Sequence, residues 1–233
     1  MKHTRIILFS LLLLTTMLAC STVSNLMATT TPVPTVTPIP TITAIPSIPS
    51  PSVFFEDSEF TNSCSTESTS DVERFVENGQ FHMLVKTPKY LGWTECTKVE
   101  FSDLILEVDA TQVAGSNNNT YGVIFRYGLN DDEFYVFAVS GDGSYTLAID
   151  GVEHTEPDII VDWTKTSAIN QGQQTNRIKV VAFGQKIEYY INGQLLGEAQ
   201  NERLASGTVG FFAGSYDEGG IHISFDNLKI SKP

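Results

Sequence analysis

The sequence predicts an all-β fold, a sandwich of two antiparallel sheets, and three observations carry that prediction. The stretch Tyr121–Asp150 reads YGVIFRYG, EFYVFAVS and SYTLAID, with Tyr121, Val123, Phe125 and Tyr127 on one parity and Gly122, Ile124 and Arg126 on the other. That is the period-two alternation of strands whose two faces differ. The three runs are divided by Asn130-Asp131-Asp132 and Gly141-Asp142-Gly143, residue types that tolerate the left-handed conformations of short hairpin loops. Beyond Val53, turn signals recur about every eight to twelve residues and no stretch carries a 3.6-residue apolar period, the pattern of a sandwich.

The chain opens on a short basic segment, Met1–Arg5, and an apolar run, Ile6–Ala19. A spanning helix needs about 20 apolar residues, so the run fits a signal-peptide core. It ends in Met17-Leu18-Ala19-Cys20, which resembles the lipobox of bacterial lipoproteins, although Met17 stands where leucine is commonest. The resemblance implies diacylation of Cys20 and attachment of an extracytoplasmic protein to a membrane. Residues 21–52 form a low-complexity Thr/Pro tract without charge, and its seven prolines between Pro32 and Pro51 deny it a helix or a paired strand. An extended polyproline-like spacer rises about 3.1 Å per residue, so this tract is expected to be a disordered stalk.

Residues 53–233 form the expected folded domain. Val53–Phe60 reads as a first strand bearing Glu56, Asp57 and Glu59, and Arg74–Lys86 reads as a hairpin turning at Asn78-Gly79. Tyr90–Cys96 is expected to be a loop. Val99–Val113 reads as a long strand with Leu104, Leu106 and Val108 on one face. After the meander come a strand at Asp158–Trp163, a hairpin of Arg177–Phe183 with Lys186–Ile191, a turn at Asn192-Gly193 into Gln194–Glu198, and closing strands at Thr208–Gly214 and Ile221–Ile230.

All 27 acidic residues lie at Glu56 or later, whereas Lys2 and Arg5 belong to the leader, so 12 basic residues leave the domain with 15 excess negative charges. This charge argues against nucleic acid, which needs a basic footprint, and against docking on anionic head groups; it fits a soluble, well-hydrated surface first and would also suit a bound cation. Cys64 and Cys96, outside any CxxC and remote from histidine, are expected to pair, with a metal site or a catalytic thiol as the rival reading. Closing that loop stabilises the fold by roughly 3–4 kcal/mol in the chain-entropy account.

YGVIFRYG, DEFYVFAVSGDGSYTL, NRIKVVAFGQKIEYYINGQLL, SGTVGFFAG and FDNLKI resemble the concanavalin A-like lectin/glucanase superfamily, in particular the laminin-G-like and 3-keto-disaccharide hydrolase-type domains of bacterial surface proteins. The resemblance covers most of residues 53–230. It implies a jelly roll, and it spans lectins, glycosidases, binding modules and adhesion domains, so a site must decide among them. The laminarinase-type branch carries E-x-D-x-x-E, yet here Glu107-Val108-Asp109 is followed by Thr111 and Gln112, without the second glutamate. A retaining glycosidase needs both carboxylates, which leaves a non-catalytic glycan-recognition or surface-interaction module, with a sugar hydrolase or lyase and a ligand-free display domain as alternatives. His82, His154 and His222 form no zinc motif. The resemblance also implies a structural calcium ion where first and last strands meet, held by Asp226 with Glu56 or Asp57. Sugar binding is expected on the concave sheet, where rings stack on pyranose faces and polar groups take hydroxyls; the candidates are Tyr90, Trp93, Arg126, Tyr135 and Trp163.

Overall fold

The computed structural model describes residues 52–128, 132–151, 154 and 156–233. Cys20, the leader, the stalk and the turn residues Asn130 and Asp131 lie outside the described residues. Among the described residues there is no helix. Fourteen strands follow one another: β1 Val53–Asp57, β2 Val72–Glu77, β3 Gln80–Val85, β4 Leu91–Glu95, β5 Leu104–Ala114, β6 Asn119–Tyr127, β7 Glu133–Val139, β8 Ser144–Gly151, β9 Asp158–Lys165, β10 Thr175–Phe183, β11 Lys186–Ile191, β12 Gln194–Gln200, β13 Thr208–Ser215 and β14 Ile221–Ser231.

They form an eight-stranded sheet in the order β12-β11-β10-β5-β14-β3-β2, with β1 also on β14, and a six-stranded sheet in the order β4-β13-β6-β7-β8-β9. Every pairing is antiparallel. β14 pairs with β5 on one edge; on the other it meets β3 through Ile221–Phe225 and β1 through Leu228–Ser231. The all-β sandwich expected from the sequence is therefore the fold. Asn78-Gly79 and Asn192-Gly193 make the predicted hairpin turns, and all four residues have positive φ, as the favoured two-residue hairpin loop requires.

The core lies between the sheets. Leu104, Leu106, Val108 and Ala110 of β5 and Ile178, Val180 and Ala182 of β10 face Tyr121, Val123 and Phe125 of β6 and Val209, Phe211 and Ala213 of β13. Phe211 stacks on Phe225 across the two layers at 4.2 Å between ring centres. Cys64 and Cys96 form the expected disulfide, with both residues buried.

Tyr90–Cys96 departs from expectation. Its middle is strand β4, pairing with β13 from Gly210↔Glu95 to Gly214↔Leu91. An edge strand needs only one partner, so this short glycine-containing segment can add to a sheet without the β-branched run that marks an internal strand.

Candidate ligand groove on the six-stranded sheet

The outer faces of the two sheets differ. On the eight-stranded sheet many outward positions are charged and paired: Arg177 lies 3.0 Å from Asp109 and 3.6 Å from Glu107, and Lys186 lies 2.7 Å from Glu188 and 2.9 Å from Glu198. Asn227 donates from Nδ2 to Asp109 at 2.9 Å. Glu107 and Asp109, the incomplete acid motif, thus sit in an ion-pair ladder on the side of the molecule away from the groove described next.

On the six-stranded sheet the outward positions are apolar. Ile124, Phe134, Val136, Ala138, Ala148 and Phe212 form one buried cluster. At its Phe134 end Trp93 and Tyr127 pack over it, so the protein's own side chains fill that part of the hollow. Towards the other end the outward residues shrink: Phe212 opposes Gly122, Gly122 opposes Ala138, and Val136 opposes Ala148. A Cβ at Gly122 would fall 2.1 Å from the carbonyl oxygen of Phe137, so this position accepts no side chain. Small residues along the middle strands leave a trough between larger walls.

That trough is a recess of about 280 Å³ floored by Val136, Ala138, Ala148 and Phe212, with Leu91, Ile159, Trp163 and Tyr216 about it. Beside it lies a polar recess of about 300 Å³ lined by Asn118, Asn119, Ser140, Asp142 and Ser144, and Trp163 and Tyr216 line both. Trp163 is 42% exposed and Tyr216 37% exposed. Trp163 reaches this position through an irregularity: Tyr145 pairs with Thr164 and Leu147 with Val161, so two residues of β9 oppose Thr146 alone. Such a bulge re-aims a side chain, and the Thr146 hydroxyl holds it by donating to the carbonyl of Val161 at 2.7 Å.

The polar recess rests on a buried amide network. Asn119 donates from Nδ2 to Gln112 Oε1 at 2.9 Å and to the Ser116 carbonyl at 2.7 Å, and its Oδ1 accepts the N–H of Gly141 at 2.9 Å. Gln112 donates from Nε2 to the Gly115 carbonyl at 3.0 Å. Asp142 lies 2.7 Å from Lys165 Nζ. Burial pushes its carboxyl upward, but hydrogen bonds from Lys165, Ser144 and Ser140 outweigh that and hold it below the ordinary value. Burial and the Asp142 charge raise the Tyr216 phenol.

Of the five predicted ligand contacts, the structure brings only Trp163 into these recesses. Arg126 is a correction. Its alternation with Gly122 and Ile124 suggests an outward side chain, but a β-bulge at β6–β13 and a φ of 52° at Arg126 break the parity. A one-residue slip exchanges faces, so Tyr127 joins the outer cluster and Arg126 turns inward, 1% exposed. Its guanidinium donates to the carbonyls of Ser102 (2.9 and 2.6 Å), Leu204 (3.1 Å) and Gly184 (2.9 Å), clamping three loops. Burial lowers its pKa, with Tyr135 and Asp103 acting in the opposite sense; an arginine stays charged throughout. Tyr135 is likewise in the core, 0% exposed, its hydroxyl donating to Asn201 at 2.6 Å and accepting from the Leu204 N–H at 3.2 Å. Trp93 is half-buried against Phe134 at 5.6 Å and lines a separate recess with Arg74 and Glu95, while Tyr90 packs against the core.

The residues assigned to calcium lie where first and last strands meet, with Glu56 opposite Lys229 and Asp57 opposite Leu228. Asp57 Oδ1 accepts the N–H groups of Glu59 (2.9 Å) and Phe60 (2.8 Å), and Asp226 accepts Gln80 Nε2 at 3.2 Å and the Asn227 N–H at 2.7 Å. Among the described residues no three His, Cys, Asp or Glu side chains converge as a metal site, so carboxylates alone do not supply the six to eight oxygens that calcium takes.

Tyr216, Asn118 and Asp142 were not legible as site residues. Tyr216 stands in the polar turn SYDEGG, where one aromatic among turn formers was the available signal.

No family model and no curated protein matches this sequence. Solved structures match the fold. A carbohydrate-binding module, CBM66, from Bacillus subtilis aligns with a TM-score of 0.50 and 16% identity over 72% of this chain and 95% of its own. The endo-β-1,3-glucanase of Pyrococcus furiosus gives a TM-score of 0.56 and 10% identity over 77% and 94%. The catalytic domain of a laminarinase from Thermotoga petrophila gives 0.54 and 10% over 78% and 97%. At these identities the likeness establishes the fold: a concanavalin A-like jelly-roll sandwich.

Proposed function

We propose that the domain is a non-catalytic carbohydrate-recognition module whose ligand lies along the groove of the six-stranded sheet. The observation that carries this reading is the pair Trp163 and Tyr216, exposed aromatics that line an apolar trough and a polar recess together. Aromatic faces take the apolar faces of pyranose rings, while Asn118, Ser144 and Asp142 offer partners for hydroxyls. Among the described residues the groove lining includes Asp142, paired with Lys165, and Asp150, and no Lys, Arg or His. The reading therefore favours uncharged or cationic sugars over uronates and sulfated glycans. Carbohydrate modules and glycanases among the fold's relatives support it as analogy. The test is a glycan-array screen of the full-length protein beside Trp163→Ala and Tyr216→Ala: binding that both variants lose supports the reading, and no binding to any glycan removes it.

Two further parts of the reading are separate from the groove. Cys20 is proposed as the site of lipid attachment to an extracytoplasmic membrane face, with the Thr/Pro tract as spacer; palmitate labelling that persists in Cys20→Ser refutes it. A calcium ion at the β1–β14 junction would draw on Asp226 with Asp57 or Glu56 and on main-chain carbonyls, stabilising that junction. A Tm raised by millimolar CaCl2 and lowered by EGTA supports it, and an unmoved Tm removes it.

A further inference from the structure

The outer face of the eight-stranded sheet carries one cluster that its ion-pair ladder does not absorb. His82 of β3 and His222 of β14 meet with Nδ1 and Nε2 3.0 Å apart. Phe75 of β2 lies flat on His82, ring centres 4.9 Å apart and planes within 5°, and stands 5.9 Å from His222. His82 is 6% exposed, and its Nε2 is buried with no hydrogen-bond partner.

Counting protons shows what this arrangement permits. The bond between the rings needs one proton shared by Nδ1 of His82 and Nε2 of His222. The neutral pair holds one more, and on Nδ1 of His222, the more exposed ring, it leaves His82 Nε2 a bare lone pair. Adding a charge fills both outer nitrogens, so His82 Nε2 becomes a buried N–H with no well-formed hydrogen bond; the Glu77 carbonyl favours the charged ring, but burial outweighs it. A second charge sets N–H against N–H. The packing thus favours the neutral pair.

We propose that His82, His222 and Phe75 form an acid-labile latch that fixes the β2–β3 hairpin to β14 and, through Arg74, the edge strand of the groove. The Arg74 Nη2 donates to the Trp93 carbonyl of β4 at 2.8 Å, and Val72 fills the space beside Gly92. β4 also carries Leu91, a wall of the apolar recess. Of the surrounding charges, Glu77 bears on both rings and favours their protonation. On β2, Glu73 is tied to Lys86 at 2.8 Å and Glu77 is exposed; on β14 and β5, Asp226 and Asp109 are held by Gln80, Asn227 and Arg177. Burial lowers the pKa of both rings, and in His222 the neighbouring His82 lowers it further, while Glu77 acts in the opposite sense on each. A histidine depressed below about 6.5 contributes stability that is present above that value and lost as pH falls through its folded pKa.

The latch stands independently of what the groove binds; its regulatory consequence rests on the sugar reading. The experiment is amide hydrogen exchange of the full-length protein at pH 7.5 and 5.5, corrected for intrinsic rates, with glycan binding measured at both. Protection should fall at pH 5.5 in residues 72–95 and hold in residues 175–200. His82→Gln, whose amide can serve the same bond while removing the buried ring nitrogen, should remove the pH effect. If that variant does not fold, imidazole NMR titration of the unaltered protein decides: both rings should titrate below 6.5, and either one at or above 6.5 overturns the latch. Unchanged protection in residues 72–95 also overturns it. Loosening without a change in glycan affinity overturns the regulation alone. Absence of glycan binding at both pH values removes the sugar reading and leaves the latch to the exchange data.

Discussion

The two outer faces of this sandwich are built from the same kind of strand and have opposite chemistry. On the eight-stranded sheet, β5 and β10 alternate buried and half-buried residues along most of their length, and the middle of the outward set is charged, Glu107 and Asp109 beside Arg177 and Lys179, with Ile105, Val113, Val181 and Phe183 towards the ends. On the six-stranded sheet, most of β6, β7 and β8 is buried on both faces, and the outward set is mainly apolar, with Gly122, Ile124, Val136, Ala138 and Ala148 beside Thr120, Thr146 and Asp150. A charged ladder holds its own partners and leaves little for a ligand. An apolar trough rimmed by Trp163 and Tyr216 leaves apolar surface uncovered among the described residues, the kind of surface that marks a site of interaction.

The largest effect should come from the clamp that shapes one end of this arrangement rather than from either face. Arg126→Leu leaves the carbonyls of Ser102, Gly184 and Leu204 without their donor, and should cost about 3 kcal/mol or more in urea unfolding. A loss under 1 kcal/mol would mean that these loops are held by other contacts. Next, Trp163→Ala should weaken glycan binding by roughly 30-fold, equivalent to about 2 kcal/mol, with little change in Tm. Glu107→Gln on the opposite face should leave affinity unchanged, and if it did not, the two faces would not be functionally distinct.

Ala148→Leu sharpens the same contrast by filling the trough. Calorimetric titration should show binding lost, and because Ala148 is 1% exposed within the outer cluster the larger side chain should also cost about 1–3 kcal/mol in urea unfolding. Glu133 lies 2.9 Å from His154 and is also bound by Arg203, which holds its carboxyl below the ordinary value; burial acts in the opposite sense, and His154 adds to the lowering. Such a group contributes stability above the unfolded pKa of about 4.3 that is lost as pH falls through the folded value. Glu133→Gln should therefore flatten the acid limb of a Tm–pH profile. The smallest effect belongs to the ladder: Arg177→Ala should cost at most about 1 kcal/mol, less at high salt, because the guanidinium is 41% exposed.

The sequence made the sandwich legible because alternation and turn chemistry are local. Asn78-Gly79, Asn192-Gly193 and the inward Leu104, Leu106 and Val108 all fell where expected. The site was less legible because it depends on departures from alternation. One bulge turned Arg126 inward, another presented Trp163, and neither leaves a mark in the sequence. Tyr216 joined Trp163 only through the pairing of β13 with its neighbours, a contact between distant parts of the chain. The histidines looked scattered because His82 and His222 stand 140 positions apart and meet only across the β3–β14 pairing.

The chain has two tryptophans, and they sit in different places on the six-stranded sheet: Trp163 at the groove and Trp93 packed over the filled end. Their two indole N–H signals can be followed by NMR while the protein is titrated with each neutral or cationic oligosaccharide that the array identifies. A saturable shift of the Trp163 signal, with Trp93 unmoved, is the predicted result. A shift of Trp93 with Trp163 unmoved, or binding that moves neither, would contradict the placement of the ligand in this groove.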